Sequence, residues 1–251
     1  MGALHEGHLS LVRTARRQCD FVVVSLFVNP TQFGPTEDLS RYPRDLEGDS
    51  RKLRAEGVDV LYSPTSDQVY PPGFQTYISV EELGARLDGA SRPGHFRGVA
   101  TVVAKLFHTV QPHRAYFGQK DAAQTAVIRR LVQDLNFPLE VIVCPIVREP
   151  DGLALSSRNG YLDPALRRAA TVLYRSLQAA RARYDAGERS CASLRQCLIE
   201  EMAREPLARL DYAAIVDPDT LLPVETAARP TLAAVAAFFG GTRLIDNLVL
   251  G

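Results

Sequence analysis

Two histidines near the amino terminus are the residues best suited to chemistry on an anion. His5 and His8 flank Gly7 and stand directly before an apolar-periodic run that starts at Leu9. The start of a helix leaves backbone N–H groups without intrahelical partners, and its dipole favours negative charge. Two imidazoles and several N–H groups can therefore surround a phosphate there. Taken alone, the pattern also fits two surface histidines at the start of a helix.

A second candidate lies in the loop that follows the first apolar run, residues 21–28. This loop reads Asn-Pro-Thr-Gln-Phe-Gly. Pro30 cannot extend a hydrogen-bonded strand, and the Gln32 amide offers both a donor and an acceptor. Such an amide suits a small hydroxy acid or a carboxamide, although it equally fits a side chain that only caps its own loop.

A third candidate is the Gly-Gln-Lys-Asp run that begins at Gly118, after another strand-like segment. Gly118 lets the backbone approach a ligand, and Lys120 can reach phosphate oxygens. Asp121 can cap the next helix, and Gln124 lies one turn into it. A lone lysine in a loop is usually only solvated, so this run suggests a phosphate site without establishing one.

The fourth candidate is a polar loop over residues 151–159, which contains Ser156, Ser157 and Arg158 in succession. Two hydroxyls and a guanidinium can bracket the β- and γ-phosphates of a nucleotide. They can also stabilise charge as the α-phosphorus is attacked. The alternative interpretation is a polar linker between two domains.

The elements that must position these residues alternate between strand and helix in the first half of the chain. Continuous apolar, β-branched runs are typical of strands buried on both faces of a parallel sheet. Strands are predicted over 21–28, 58–62, 77–80, 115–117 and 139–143, and helices over 9–18, 45–56, 99–109 and 122–135. This α/β pattern predicts a Rossmann-like, doubly wound parallel sheet that binds ligands at the carboxyl ends of its strands.

The alternation ends near Val147. Asp163-Pro164 is typical of a helix start, with an N-cap followed by proline at the first helical position. Helices are predicted from there to about residue 184 and over 193–203, followed by strands over 211–216, 232–239 and 242–250. The chain is therefore predicted to form a Rossmann-like domain over residues 1–146 and a smaller α+β domain over 147–251.

Composition excludes several classes of function. The 251 residues are 46% hydrophobic, which is ample for a packed core. Lys plus Arg and Asp plus Glu number 29 each, so no overall basic field draws the chain to nucleic acid, and any anion site must be local. The four cysteines lack metal-ligand spacing and are predicted to be buried and reduced. Without a membrane-length apolar run or a signal-like start, a cytoplasmic enzyme is predicted.

Taken together, the motifs resemble the pantoate–β-alanine ligase family, whose H-x-G-H motif is shared with class I aminoacyl-tRNA synthetases and other nucleotidyltransferases. The resemblance lies in residues 1–8, 27–33, 42–44, 92–98, 117–121 with Gln124, 148–159 and 242–247. These motifs follow the family order over nearly the whole chain. Each one is weak alone, but their joint occurrence is specific.

The resemblance implies a two-step reaction and a set of site residues. Pantoate and ATP would give an enzyme-bound pantoyl adenylate and pyrophosphate, and β-alanine would then attack it to give pantothenate and AMP. His5, His8, Lys120 and Arg158 would be catalytic, with His8 as the proton donor. Gln32 and Gln124 would bind pantoate, and Gln32 would also contact β-alanine. The implied ATP-binding residues are Met1, Gly2, Ala3, Leu4, His5, Glu6, Gly7, His8, Gly118, Gln119, Lys120, Asp121, Val147, Leu155, Ser156, Ser157 and Arg158.

The resemblance further implies Mg²⁺ with ATP, with Asp49 as a candidate helper and no other metal ligand assigned. It implies a homodimer that binds no nucleic acid and no membrane, with residues 147–251 acting as a lid.

Three departures from the family pattern stand out. Leu155 replaces the commoner Met, a volume-conserving change that we expect to be tolerated. Ala123 replaces the usual Gln, while Gln124 is retained. Family members also carry a segment before Met-Gly-Ala-Leu-His, including an apolar strand central to the sheet, and this chain begins without it. We expect either a misassigned start or a fragment, with a short apolar, β-branched segment encoded upstream.

Two alternatives remain open at this point. One is an N-terminally truncated, inactive ATP-binding homologue. The other is a different H-x-G-H nucleotidyltransferase, such as a cofactor adenylyltransferase, which Gln32 and Gln124 disfavour because they resemble ligands for pantoate.

Overall fold

The parallel strands of the chain form two pairs in the computed structural model, which describes residues 2–35 and 37–251. Strand β1 (Val23–Ser25) pairs with β2 (Val60–Tyr62), and β3 (Arg114–Gly118) pairs with β4 (Glu140–Cys144). Each connection contains a helix, as parallel pairing requires. Parallel α/β architecture is thus confirmed, although within the described ranges the strands form two separate pairs and not one continuous sheet.

The helices around these strands are α1 (Glu6–Gln18), α2 (Leu46–Ala55), α3 (Ser66–Val69), α4 (Asp88–Ser91), α5 (His95–Val110) and α6 (Ala122–Asp134). Helix α1 buries Val12 and Ala15, which are three residues apart and share one face. They pack in one cluster with Leu4 and with alternate residues of the β1 region. Because Leu4 belongs to this core, packing holds the chain at the residue before His5.

The C-terminal part is a three-stranded antiparallel sheet with helices. It contains α7 (Pro164–Ala169), α8 (Val172–Asp185), α9 (Cys191–Ala203), β5 (Ala208–Val216), β6 (Thr231–Phe239) and β7 (Thr242–Leu250). Strand β6 lies centrally, and all but one of its residues are buried. Leu173, Leu177, Leu194 and Leu198 belong to the same core and are fully buried. The predicted separate α+β part is confirmed.

The chain divides into two compact units. The first runs to Gly118 and resumes over Gln124–Pro145, and the second comprises Gln119–Ala123 and Ile146–Gly251. The short segment 119–123, which the sequence interpretation placed in the first domain, thus groups with the C-terminal unit. Of the helices described, none has the length and apolarity to cross a bilayer.

The predicted strand over residues 77–80 is wrong. The Ile78 N–H donates to the Thr101 hydroxyl at 3.0 Å, so a side chain of α5 replaces a strand partner. The Tyr77 ring lies 3.7 Å from the Arg97 guanidinium and meets Phe74 edge-on. Side-chain contacts with a helix therefore hold this β-branched segment extended outside any sheet.

The single helix predicted up to about residue 184 is also wrong, because it is two helices. Helix α7 ends at Ala169 and α8 begins at Val172. Between them the Thr171 hydroxyl donates to the Arg168 carbonyl at 2.7 Å, which takes up a carbonyl at the end of α7.

Candidate active site

His5 and His8 form the first turn of α1, and each ring closes a hydrogen bond to the backbone. His5 is the N-cap, and its Nδ1 accepts from the Gly7 N–H at 3.2 Å. The Nδ1 of His8 accepts from the His5 N–H at 3.4 Å. A neutral ring whose Nδ1 accepts carries its proton on Nε2. With centroids 4.0 Å apart, the two imidazoles thus lie together at a helix N-terminus, where an anion is stabilised.

Helix α2 fixes the chain just before these histidines. The Leu4 N–H donates to Asp49 Oδ1 at 2.8 Å, and Lys52 Nζ donates to the Leu4 carbonyl at 2.7 Å. Both halves of the Leu4 backbone are thus held by one carboxylate and one ammonium. Asp49 is 1% exposed, and its Oδ2 has no hydrogen-bond partner in the described structure.

The remaining residues predicted to bind ATP in this segment differ in exposure. Gly2 and Leu4 are buried, so they can contribute only through backbone groups or packing. Ala3 has a φ of 49°, a left-handed conformation that non-glycine residues rarely adopt. Glu6 is exposed and pairs with Arg13. Met1 lies outside the described residues.

Gln32 lies in a short 3₁₀ turn, Pro30–Gln32, and Asn29 orients its amide. Asn29 is 2% exposed, and its Nδ2 donates to Gln32 Oε1 at 3.3 Å and to the Gly98 carbonyl at 3.1 Å. Its Oδ1 accepts from the Tyr70 hydroxyl at 2.8 Å. The Gln32 oxygen therefore faces Asn29 and its NH₂ group points elsewhere, available as a donor.

The Gln32 backbone is held from the start of α5. Its carbonyl accepts from His95 Nδ1 at 2.8 Å and from Arg92 Nη2 at 3.3 Å. Arg92 also pairs with Glu37 at 2.6 Å, and its Nη1 lies 3.1 Å from His95 Nε2. Burial, together with the charge of Arg92, lowers the pKa of His95 to about 4. The ring is therefore neutral, with its proton on the nitrogen that faces Gln32.

The sequence assigns no functional role to three residues around the candidate site, namely Asn29, Tyr70 and His95. Asn29 and His95 fall within motifs noted above, and the Arg-x-x-His spacing at the start of α5 was the one local signal. Tyr70 lies in a Pro-rich loop 41 positions from Asn29, and no sequence spacing marks that contact.

Gln124 lies in α6, is half-buried and belongs to the same compact unit as Gln32 and the two histidines. Gly118 ends β3, and a Cβ placed there would meet no atom within 4 Å. Backbone at this point can thus be approached closely, as a ligand-binding turn requires.

The C-terminal unit holds the remaining candidates. Residues Gln119–Asp121 form a 3₁₀ turn in which Lys120 Nζ lies 3.4 Å from Asp121 Oδ1. Ser156 caps the 3₁₀ helix Ser157–Tyr161 by accepting the Arg158 N–H at 3.2 Å. The two serines and the arginine therefore occupy the start of a helical turn.

The loop that carries these residues is braced at its base. The Leu155 N–H donates to the Val147 carbonyl at 3.0 Å, and Arg148 bridges to Ala154. Asn159 Nδ2 donates to Glu149 at 3.0 Å and to the Ala154 carbonyl at 3.1 Å. A flexible linker, the alternative interpretation of this segment, does not carry such bonds.

Comparison with known proteins agrees with this architecture. The family model described as pantoate-beta-alanine ligase matches residues 1–249. A pantothenate synthetase of Acidobacterium capsulatum is 61% identical over 251 residues, which are 100% of this chain and 84% of that protein. One from Roseiflexus sp. strain RS-1 is 60% identical over 250 residues, covering 100% of this chain and 90% of that protein.

Solved structures agree as well. Pantothenate synthetase from Thermus thermophilus superposes with a TM-score of 0.96 at 54% identity, covering 99% of this chain and 90% of the other. A Francisella tularensis pantoate-β-alanine ligase, solved with β-γ ATP and β-alanine, gives a TM-score of 0.81 at 36% identity. It covers 99% of this chain and 87% of its own.

The α/β fold and these relatives define the class first: the protein is a ligase enzyme. The chain belongs to the pantoate–β-alanine ligase family, which confirms the resemblance drawn from its motifs.

Proposed function

We propose that this chain joins (R)-pantoate to β-alanine through a pantoyl adenylate. In the first step a pantoate carboxylate oxygen attacks the α-phosphorus of ATP, forming an acyl–phosphate bond and releasing pyrophosphate. In the second step the amine of β-alanine attacks the acyl carbon, forming the amide while AMP leaves and the amine loses a proton. The observation that carries the proposal is the pair of imidazoles of His5 and His8 at the start of α1, each with its Nδ1 held by a backbone N–H.

Charge builds up on phosphate oxygens as pyrophosphate leaves, and N–H donors placed in advance stabilise that charge at little reorganisation cost. His8 is the proposed proton donor. Lys120 and Arg158 supply fixed positive charge, and the hydroxyls of Ser156 and Ser157 add donors. The Francisella relative, solved with an ATP-type ligand and β-alanine, supports the choice of substrates.

Gln32 and Gln124 are proposed to bind pantoate. Because Asn29 holds the Gln32 oxygen, the Gln32 NH₂ group is a donor with a set direction, which suits the hydroxyl and carboxylate oxygens of a hydroxy acid. The same donor is proposed to contact β-alanine.

Asp49 fits the proposed Mg²⁺ that accompanies ATP. The described residues hold no cluster of three metal-ligating side chains, and Mg²⁺ bound with a nucleotide commonly uses only one or two carboxylates. Asp49 offers one buried oxygen without a hydrogen-bond partner. When bound, Mg²⁺ would neutralise phosphate charge. The lid role of residues 147–251, a homodimer and a cytoplasmic location also stay predictions.

An exchange assay tests the two-step scheme. Labelled pyrophosphate should enter ATP when pantoate and Mg²⁺ are present and β-alanine is absent, because the first step is reversible and needs no amine. Adding β-alanine should then release AMP and pantothenate in equal amounts. Exchange that requires β-alanine, or a dinucleotide product, would contradict the scheme, and a complete lack of turnover would favour the inactive ATP-binding homologue.

Two substitutions test the assignment of residues to substrates. Gln124→Ala should raise the KM for pantoate far more than that for ATP, and Lys120→Ala should do the reverse. Loss of one buried hydrogen-bond partner costs on the order of 1–3 kcal/mol, or about 5- to 150-fold. Gln133→Ala, an exposed change at the other end of α6, is the matched control. Equal effects of both substitutions on both substrates would rule the assignment out.

A further inference from the structure

The family motif in β7 has no part in the proposed chemistry, yet it ends in two buried polar residues. Asp246 and Asn247 are 1% and 2% exposed. Burying such side chains costs free energy unless their polar atoms find partners. Their partners therefore indicate what these two residues do.

The Asn247 side chain binds the turn that carries Lys120. Its Nδ2 donates to the Gln119 carbonyl at 3.0 Å and to the Lys120 carbonyl at 2.9 Å. Its Oδ1 accepts from Gln119 Nε2 at 3.0 Å. Both N–H donors and the oxygen of the Asn247 amide thus form hydrogen bonds with two consecutive residues. Two successive carbonyls held by one group restrict the backbone there, and with it the direction in which the Lys120 side chain leaves the chain.

Asp246 holds the start of the second loop, which carries Ser156, Ser157 and Arg158, at the same point of β7. Its carboxylate accepts two bonds from Arg148, at 2.6 and 3.0 Å, and one from the Asn247 N–H at 2.8 Å. Arg148 also donates to the Gly152 carbonyl at 3.0 Å and lies over the Tyr174 ring. Burial raises the pKa of Asp246, while the Arg148 guanidinium opposes that shift. Two adjacent residues of β7 therefore hold both the Lys120 turn and the start of the loop that carries Ser156, Ser157 and Arg158.

We infer that Asn247 is a positioning residue for ATP binding, which acts by fixing the turn from which Lys120 reaches the phosphates. The inference rests on the proposed phosphate role of Lys120. Asn247 is not itself a catalytic residue, because its whole amide is engaged with the protein. If Asn247 served only the packing of the sheet, replacing it would lower stability and would affect the KM values for ATP and pantoate alike. The effect on the KM for ATP would then be the same with or without the Lys120 side chain.

A double-mutant cycle separates these two roles. We expect Asn247→Ala to raise the KM for ATP by about tenfold or more, in line with the loss of a buried amide's partners. The KM for pantoate should change by less than about twofold, because pantoate is assigned to Gln32 and Gln124, and sites that share no contacts act independently. In a Lys120→Ala background the same substitution should raise the KM for ATP by less than about twofold, since no lysine side chain is then left to misdirect.

Arg243→Met is the matched control. Arg243 lies four residues earlier on β7 and pairs with Asp211 at 2.8 Å, so its loss should lower the melting temperature and leave both KM values unchanged. Amide hydrogen exchange over residues 119–121 supplies a readout independent of activity. Exchange there should quicken in Asn247→Ala and stay normal in Arg243→Met.

If Asn247→Ala does not accumulate as folded protein, Asn247→Ser takes its place. Its shorter hydroxyl side chain adds no charge and can donate at most one hydrogen bond, so the same results are expected. Additive effects in the cycle, or unchanged exchange over 119–121, would overturn the inference alone. An unchanged KM for ATP in Lys120→Ala would overturn the phosphate role of Lys120, and the inference with it.

Discussion

The ring of His8 serves two purposes at once at the start of α1. Its Nδ1 caps a backbone N–H, while its Nε2–H is the donor proposed to act on ATP. His8→Ala should therefore lower pantoate-dependent pyrophosphate exchange by about 10²-fold or more, the usual cost of losing one donor to a developing anion. Stability should fall by only about 1 kcal/mol, as for a lost helix cap.

Ser10→Ala is a fitting control for that experiment. The Ser10 hydroxyl donates to the Gly7 carbonyl at 2.8 Å in the same turn, so its loss costs one helix-start hydrogen bond without touching either imidazole. Melting temperatures of both variants should fall slightly, and only His8→Ala should lose exchange. A well-folded His8→Ala with near-normal exchange would remove His8 from the mechanism.

His95 should make the stability of the protein sensitive to acid. Its pKa is lowered from 6.5 to about 4, because burial and Arg92 oppose a charge on the ring. A histidine of this kind contributes stability that is fully present above pH 6.5 and is lost as the pH falls towards 4, up to about 3 kcal/mol. Protonation would also place an N–H on the Nε2 that faces the Arg92 guanidinium.

Melting temperatures at pH 7 and pH 4.5 test this effect. The wild-type chain should lose more stability between the two values than His95→Gln does, because the glutamine cannot be protonated. Glu37, whose pKa is lowered, is present in both proteins and contributes to both curves. Exposed His113→Gln should behave like wild type. Parallel curves for wild type and His95→Gln would show that the ring is not held neutral.

At the scale of elements, the close approach of α5 to the Gln32 turn depends on Gly98. A Cβ there would lie 2.3 Å from the Thr31 carbonyl oxygen and 2.7 Å from the Gln32 nitrogen. Gly98→Ala should therefore push the turn away, destabilise the chain by about 1–3 kcal/mol and raise the KM for pantoate. Gly84→Ala, whose Cβ would meet Phe96 at an ordinary 3.7 Å, should be nearly neutral in both assays. A neutral Gly98→Ala would mean that the contact is looser than described.

Local chemistry explains which elements were predictable. The placement of His5 and His8 at a helix start follows from neighbouring residues alone, as do the β-branched strands. The sequence predicts that helix α5 begins at about Val99, but it begins at His95. Gly94, in a left-handed conformation, is its N-cap, and the neighbouring residues have the composition of a loop. The segment 77–80 has strand composition but finds its hydrogen bond on the side chain of Thr101.

Parts of the candidate site were not predictable because they depend on contacts between distant residues. Leu4 and Asp49 are 45 positions apart, and Asn29 meets the Gly98 carbonyl 69 positions away. Such pairs form only when two elements pack together, and neither residue carries a periodic signal for its partner. The motifs that act through short loops were therefore visible, while the residues that hold those loops in place were not.

At the scale of the whole molecule, the cysteines report on how completely the two units are packed. All four are free thiols, and Cys144, Cys191 and Cys197 are buried, which raises the pKa of each. Cys19 alone is half-buried, 3.3 Å from the Tyr116 hydroxyl. The prediction of buried reduced thiols thus holds for three of the four.

A thiol-reactive dye at neutral pH should therefore label the folded protein rapidly at one site and label four sites in denaturant. Cys19→Ser should abolish the rapid phase, because the other thiols are both shielded and protonated. Rapid labelling of two or more thiols in the native protein would show that a unit opens more readily than its burial implies.

The hold of Asn247 on the Lys120 turn has a consequence for directed evolution. The two N–H donors of Asn247 bind backbone carbonyls, which every amino acid possesses. The shape of the turn should therefore not depend on which side chain stands at position 120. A saturation library at position 120 should therefore yield well-folded members throughout and vary mainly in how they recognise the nucleotide. The same library at position 247 should instead disturb the turn itself in its members, which makes position 120 the better starting point for altering nucleotide preference.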